Sequence, residues 1–263
     1  MIYDQHVHSY YSFDSNQSIE EYLDVATKLG LKYFVLTDHC DFNHINTGED
    51  LFFDVSKQRK ELQELQARYP IIKILYGIEI GYKPQELKRI NEVLNENEFD
   101  IINLSLHELD DIDYYFPDRF IKDGIDKTLE TYFLKQLEMI RHFDNFDVLC
   151  HIDYAFKTAY LIDNNLKIEK YENILIEIMK RLIKKEKALE INTKVQSELP
   201  IEHTKYLLNL YKKLGGKYLT LCSDAHDITR FHKDFDKYIS IIKECGFNHL
   251  TYFVNRKKHL YTI

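Results

Sequence analysis

The feature that most constrains the fold of this chain is an alternation, repeated seven times, between a short apolar run and a longer stretch with helical periodicity. The runs are IYDQHVH (2–8), YFVLTDH (33–39), IKILYGIEI (72–80), DIINLSLH (100–107), FDVLCHID (146–153), ALEINT (188–193) and YLTLCSDAH (218–226). Short runs rich in Val, Ile, Leu and aromatics read as strands. Each is followed by a helical pattern. In SIEEYLDVATKLG, Ser18 is the expected N-cap, Glu21 completes a capping box and Gly30 marks the stop. Further helices are expected near 55–69, 84–97, 127–143, 170–187, 201–214 and 234–245. Strands joined by helices of this length run parallel through right-handed crossovers, and seven such units can close into a β/α barrel, with a doubly wound open sheet as the rival.

The placement of polar residues favours the barrel. In every run but the sixth, a His, Asp or Glu falls at or near the C-terminal end, and a barrel gathers such residues at one mouth. In an extended strand Asp4, His6 and His8 share one side, so two imidazoles can approach one ion while an aspartate behind them orients a ring. Asp224 and His226 repeat the same i, i+2 device. The candidate ligands are His6, His8, Asp14, His39, Glu79, His107, His151, Asp224 and His226. So many polar groups at one rim would be costly to desolvate without ions to pair them. A catalytic zinc takes about three protein ligands plus water, so this set implies two or three divalent ions and a bridging carboxylate. Imidazole and carboxylate without thiolate suit zinc, manganese, iron or cobalt.

A length of 263 residues with 44% hydrophobic content suits a single domain spanning 1–263. Cys40, Cys150, Cys222 and Cys245 form no C-x-x-C pair and read as reduced, small buried residues. A formal charge of -8, with basic residues dispersed, disfavours nucleic acid as a partner. No apolar run reaches membrane-spanning length and a strand pattern begins right after Met1, so a cytoplasmic protein with no membrane partner is expected.

His6-Val7-His8 followed by Asp14, then TDH (37–39), GIE (77–79), SLHE (105–108), CHID (150–153) and SDAH (223–226), resembles in order and spacing the motifs of the polymerase and histidinol phosphatase (PHP) superfamily. The stretch SLHELDDIDYYFP (105–117) and the absence of extra domains look most like the stand-alone histidinol-phosphate phosphatases. The resemblance implies a distorted seven-stranded (β/α)7 TIM-like barrel with a trinuclear metal site at its C-terminal mouth. It implies that His6, His8, Glu79 and Asp224 hold one ion, that Glu79 bridges to a second held with His107 and His151, and that Asp14, His39 and His226 hold the third. Asp14 is replaced by histidine in some members, so the third site is the one whose occupancy varies. Asp4 and Asp38 are expected to support ligands rather than bind ions.

The implied activity is hydrolysis of L-histidinol phosphate to L-histidinol and phosphate in histidine biosynthesis. Ions would neutralise phosphoryl oxygens and acidify a bridging water, whose hydroxide attacks phosphorus in line, with Glu79, Asp14 and His226 as the catalytic residues. Lys157, Lys194 and Arg230 are the candidates for the remaining phosphate oxygens, lysine standing at two places where the family suggests arginine. The long segments 40–54 and 108–126 carry Phe42, Phe52, Phe53, Tyr114, Tyr115 and Phe116 beside Glu108, Asp110, Asp111 and Asp113, a composition suited to an imidazole and an ammonium group. Two other readings remain open: the same chemistry on a nucleotide, oligonucleotide or phosphotyrosine, or a non-catalytic metal-binding module.

Overall fold

The computed structural model describes residues 3–263, so Ile2 of the first expected strand lies outside the described residues. The strands are β1 (Tyr33–Leu36), β2 (His39–Asp41), β3 (Leu51–Phe52), β4 (Lys73–Gly81), β5 (Ile101–Ser105), β6 (Glu108–Leu109), β7 (Ile112–Asp113), β8 (Val148–Leu149), β9 (Ala188–Asn192), β10 (Leu219–Cys222), β11 (His249–Val254) and β12 (Lys257–Thr262). The main sheet runs β10-β9-β8-β5-β4-β2-β3, with β1 also paired to β4. All of its pairs are parallel except β2–β3, so seven strands (β1, β2, β4, β5, β8, β9, β10) form a parallel sheet. The helices expected from periodicity form at Ile19–Lys28, Val55–Arg68, Leu87–Glu96, Ile125–His142, Glu172–Lys184, Ile201–Lys213 and Phe235–Glu244.

Among the described residues no continuous ladder closes this sheet into a barrel. Of the first expected strand, the described residues 3–8 form no ladder strand and make one parallel bridge, Val7 to Ala225. On its other side Thr37 N–H donates to Val7 O at 2.8 Å, and Val7 N–H donates to Thr37 Oγ1 at 3.0 Å. The physical reason is that side chains replace ladder bonds. Gln5 accepts from Phe253 N–H and donates to Thr251 O, Asn103 donates to Gln5 O, and Asp4 accepts from Ser223 N–H. Backbone groups satisfied in this way leave no ladder to form.

The inside of the sheet is read most simply from the strand period of two. Leu75, Gly77 and Glu79 share a face of β4; Ile101, Asn103 and Ser105 of β5; Ala188, Glu190 and Asn192 of β9. Each series passes from apolar to polar toward the C-terminal end. At the apolar end Val35, Leu75, Ile101, Val148 and Ala188 pack with Phe253 of the β11–β12 hairpin, an element for which sequence periodicity gave no expectation. Outside, Leu104, Leu149, Leu189 and Leu221 meet the helices 125–142 and 172–184, whose Leu129, Tyr132, Leu175 and Ile178 are buried.

Two local expectations differ. Ser18 adopts N-cap backbone geometry but makes no side-chain cap bond, and the Glu21 carboxylate accepts from the Gln17 side-chain amide rather than completing a capping box. Segments 40–54 and 108–126 are structured: β2 pairs antiparallel with β3, β6 with β7, and Asp118–Asp123 is helical. Of their aromatics Phe42, Phe53 and Tyr114 are buried in the core, Phe52 is half-buried, and Tyr115 and Phe116 are exposed. Glu108 is engaged by Lys83 at 2.7 Å, Asp113 by Asn46 at 2.7 Å, and Asp111 by Arg119.

Candidate metal centre

Glu79, fully buried near the C-terminal end of β4, is the hub of the polar strand ends. Its Oε2 lies 3.2 Å from His6 Nε2, 3.4 Å from His8 Nε2 and 3.0 Å from His39 Nδ1. Its Oε1 lies 3.2 Å from His107 Nε2 and 3.0 Å from His151 Nε2. Asp224 Oδ1 is 3.2 Å from His8 Nε2 and 3.7 Å from His6 Nε2. Nearer the surface, Asp14 sets one oxygen 3.6 Å from His39 Nε2 and the other 3.0 Å from His226 Nε2. The His8 ring is stacked between His39 and His226 at centroid distances of 4.3 and 4.2 Å. All nine candidate ligands therefore stand in one cluster.

Donor atoms converge in overlapping triads: His6, His8 and Asp224; His6, Glu79 and His151; His39, Glu79 and His107; His8, His39 and His226. Within each triad the atoms lie within 4.8 Å of one another. The donors also fit cations by their hydrogen-bonding state. His6 Nδ1 is 2.7 Å from Glu190, and His8 Nδ1 is 3.1 Å from Ser12 Oγ, which itself donates to Asp38 at 2.7 Å. With Nδ1 carrying the proton, each Nε2 presents a lone pair. Neither Nε2, nor Glu79 Oε2 which they face, has a hydrogen-bond partner, and all are buried. Lone pairs held about 3 Å apart repel unless a positive charge, either a proton or a metal ion, sits among them.

The electrostatics follow from this crowding. Burial alone would raise Glu79, but His6, His107 and His39 hold it well below the usual carboxylate range. Burial, then the neighbouring His226 and His39, pushes His8 down, toward the neutral form that can ligate an ion. His107 is pushed up to about 10, because Glu79 and Asp41 outweigh the opposing effect of burial. Two strand ends that carry candidate ligands also have left-handed backbone, with φ of 20° at His151 and 50° at Asp224. Such conformations in non-glycine residues are a recurrent form of strain at functional sites.

The supporting residues are partly those expected. Asp38 accepts from Ser9, Ser12 and Gln58 and reaches His8 only through Ser12. Asp4 contacts no ring; it binds Ser223 and so anchors the strand end leading to Asp224. The sixth strand, set apart above as lacking a polar end, supplies Glu190 to His6, so that exception is removed. Asp41, 3.2 Å from His107 Nδ1 and 3.3 Å from His39 Nδ1, also escaped the sequence reading. Glu190 had a signal, an acid inside the fully buried run Ala188–Asn192. Asp41 had one in its spacing, two residues past His39 and so on the same strand face, where its carboxylate also fills the space a Cβ on Gly81 would take. Tyr154 is a third omission, its ring 5.0 Å from His151 and 5.4 Å from His107.

The three basic candidates separate. Lys194 Nζ is 3.1 Å from His226 Nδ1 and 3.6 Å from Asp224. Lys157 Nζ lies over the Tyr115 and Tyr154 rings at 5.3 and 5.1 Å, and burial, then the nearby Lys194, lowers its pKa. Arg230 instead faces Asp234 at 3.8 Å, on the segment after the cluster.

Comparisons with known proteins agree with this arrangement. The PHP domain family matches residues 4–194, a stretch that includes seven of the nine cluster residues and stops before Asp224 and His226. The chain is 33% identical to a histidinol-phosphatase of Lactococcus lactis over 97% of its own length and 95% of that protein. It is 28% identical to a DNA polymerase/3'-5' exonuclease of Bacillus subtilis over 86% of this chain but 34% of that protein. The crystal structure of the histidinol phosphate phosphatase of Lactococcus lactis, complexed with zinc, L-histidinol and phosphate, superposes with a TM-score of 0.89 at 30% identity, covering 98% of each chain. With the family's sequence pattern running through most of the chain and its motif residues gathered round one carboxylate, this protein belongs to the PHP domain family.

Proposed function

We propose that this protein is a metal-dependent histidinol-phosphatase that hydrolyses L-histidinol phosphate to L-histidinol and phosphate in histidine biosynthesis. One observation carries the reading: the chain matches, end to end, a phosphatase crystallised with zinc, L-histidinol and phosphate. In this reading the whole chain is one cytoplasmic catalytic domain, and its sheet is a distorted seven-stranded barrel with the metal site at the C-terminal mouth. His6, His8, Glu79 and Asp224 would hold one ion, Glu79 with His107 and His151 a second, and Asp14, His39 and His226 a third. Bound divalent ions supply charge neutralisation at the phosphoryl oxygens and acidify water near neutral pH.

The chain's own groups do the rest. Lys194 and Lys157 offer ammonium groups to phosphate oxygens, and the 3.1 Å approach of Lys194 to His226 keeps that charge beside the ligands. With the third site unfilled, Asp14 and His226, 3.0 Å apart at the outer edge of the cluster, form an acid–base pair in which the His226 imidazole is able to hand a proton to the departing alcohol oxygen. Exposed Tyr115 and Phe116 provide apolar faces for the imidazole of the leaving group.

The test is a substrate panel. Protein stripped with chelator and reloaded with zinc, manganese, iron or cobalt is assayed on histidinol phosphate, p-nitrophenyl phosphate, nucleotides and phosphotyrosine peptides. The reading requires a kcat/KM for histidinol phosphate at least about a hundredfold above the others. Equal or higher efficiency on any other ester would assign the chain a different substrate, and no metal-dependent turnover at all would make it a binding module.

A further inference from the structure

Behind the cluster lies a second buried polar network that the mechanism above does not use. Asp153 Oδ2 accepts from Gln196 Nε2 at 2.6 Å and pairs with His203 Nε2 at 2.7 Å, and Gln196 Oε1 accepts from Thr204 at 2.7 Å. All four residues are buried. Asp153 sits in the N-cap position of the helix Tyr154–Ile162 yet makes no side-chain cap bond, turning its carboxylate toward the other two segments. A buried carboxylate diverted from its local helix to cross-link two distant elements fixes those elements relative to each other.

What it fixes is set by chain position. Lys157 lies one turn along the helix that Asp153 precedes, its N–H donating to Asp153 O at 2.9 Å. Lys194 lies on the four-residue helix Thr193–Gln196, two residues before Gln196. His203 and Thr204 open the long helix Ile201–Lys213, against which both short helices are held. The two ammonium groups repel, so their spacing must be imposed by the framework beneath them. We propose that Asp153, Gln196, His203 and Thr204 are positioning residues that hold Lys157 and Lys194 at the separation needed to grip one phosphoryl group. This rests on the reading of those lysines as the phosphate contacts.

The test measures KM, kcat, metal content and the inhibition constant of inorganic phosphate in zinc-loaded enzyme. His203→Leu should raise KM and the phosphate constant about tenfold while kcat stays within about threefold and metal content is unchanged. Should that variant fold poorly, the isosteric Thr204→Val, which removes only the anchor of Gln196, should shift the same two constants about two- to threefold. In a Lys157→Ala, Lys194→Ala background His203→Leu should leave the phosphate constant unaltered, since its effect runs through the lysines. Loss of kcat or metal with unchanged KM and phosphate constant, or full additivity in the lysine-free background, overturns the proposal. If the lysine substitutions alone leave the phosphate constant unchanged, the underlying reading fails and the inference falls with it.

Discussion

Glu79 concentrates the account at the scale of single residues, since five imidazoles face its two oxygens. Glu79→Gln keeps the shape and removes the charge; turnover should fall roughly 10²–10³-fold with the far-ultraviolet circular dichroism spectrum unchanged. Steady-state kinetics on metal-reloaded protein checks this. Glu190→Gln should lower zinc affinity or activity about 10–100-fold, because the carboxylate orients His6 without binding an ion itself. Gly81→Ala makes a related point through the backbone. The added methyl would displace Asp41 from His107 and His39, so activity should drop while a distant glycine change does nothing. The candidate ligands were legible in the sequence because each ends a recognisable strand. Glu190 and Asp41 were harder to read because their importance lies in what they touch: Glu190 meets His6 184 positions away and Asp41 meets His107 66 positions away, and contacts so distant leave at most a faint local signal.

Individual elements show where periodicity stops being informative. The helices from 19–28 to 235–244 were legible because a 3.6-residue apolar rhythm survives any tertiary context. The first strand was only half legible. Its alternation is real, but Gln5 and Asp4 spend their side chains on the hairpin and on Ser223 in place of a ladder. Gln5→Leu would leave Thr251 O and Phe253 N–H without their buried partner, costing about 2–4 kcal/mol and lowering the thermal midpoint. The segment before the last helix adds a pH dependence. Burial lowers His232 from 6.5 to about 4, so the unfolded chain takes up the proton first as pH falls. Its contribution to stability is whole above about pH 6.5 and declines through the window down to about 4. Thermal melts across this range should show a shallower acid slope for His232→Asn, which also suits the left-handed backbone at that position.

The whole molecule is a scaffold that brings residues from positions 6 to 226 into one cluster whose buried lone pairs oppose each other. Its α/β class and parallel strands followed from the sevenfold alternation. The open ladder and the C-terminal hairpin did not, since closure depends on which of two partners, side chain or neighbouring strand, satisfies each backbone group. Ions bound only by the folded state stabilise it by about 3–4 kcal/mol when free metal stands at 100 to 1,000 times Kd, so chelation should lower the melting temperature and reloading restore it. The most direct measurement is anomalous diffraction from crystals grown with zinc, recorded on both sides of the zinc edge. The account predicts two or three anomalous peaks within coordination distance of Glu79, shared among His6, His8, His39, His107, His151, Asp224 and the Asp14–His226 pair. Zinc bound elsewhere on the surface with no peak beside Glu79 would contradict it.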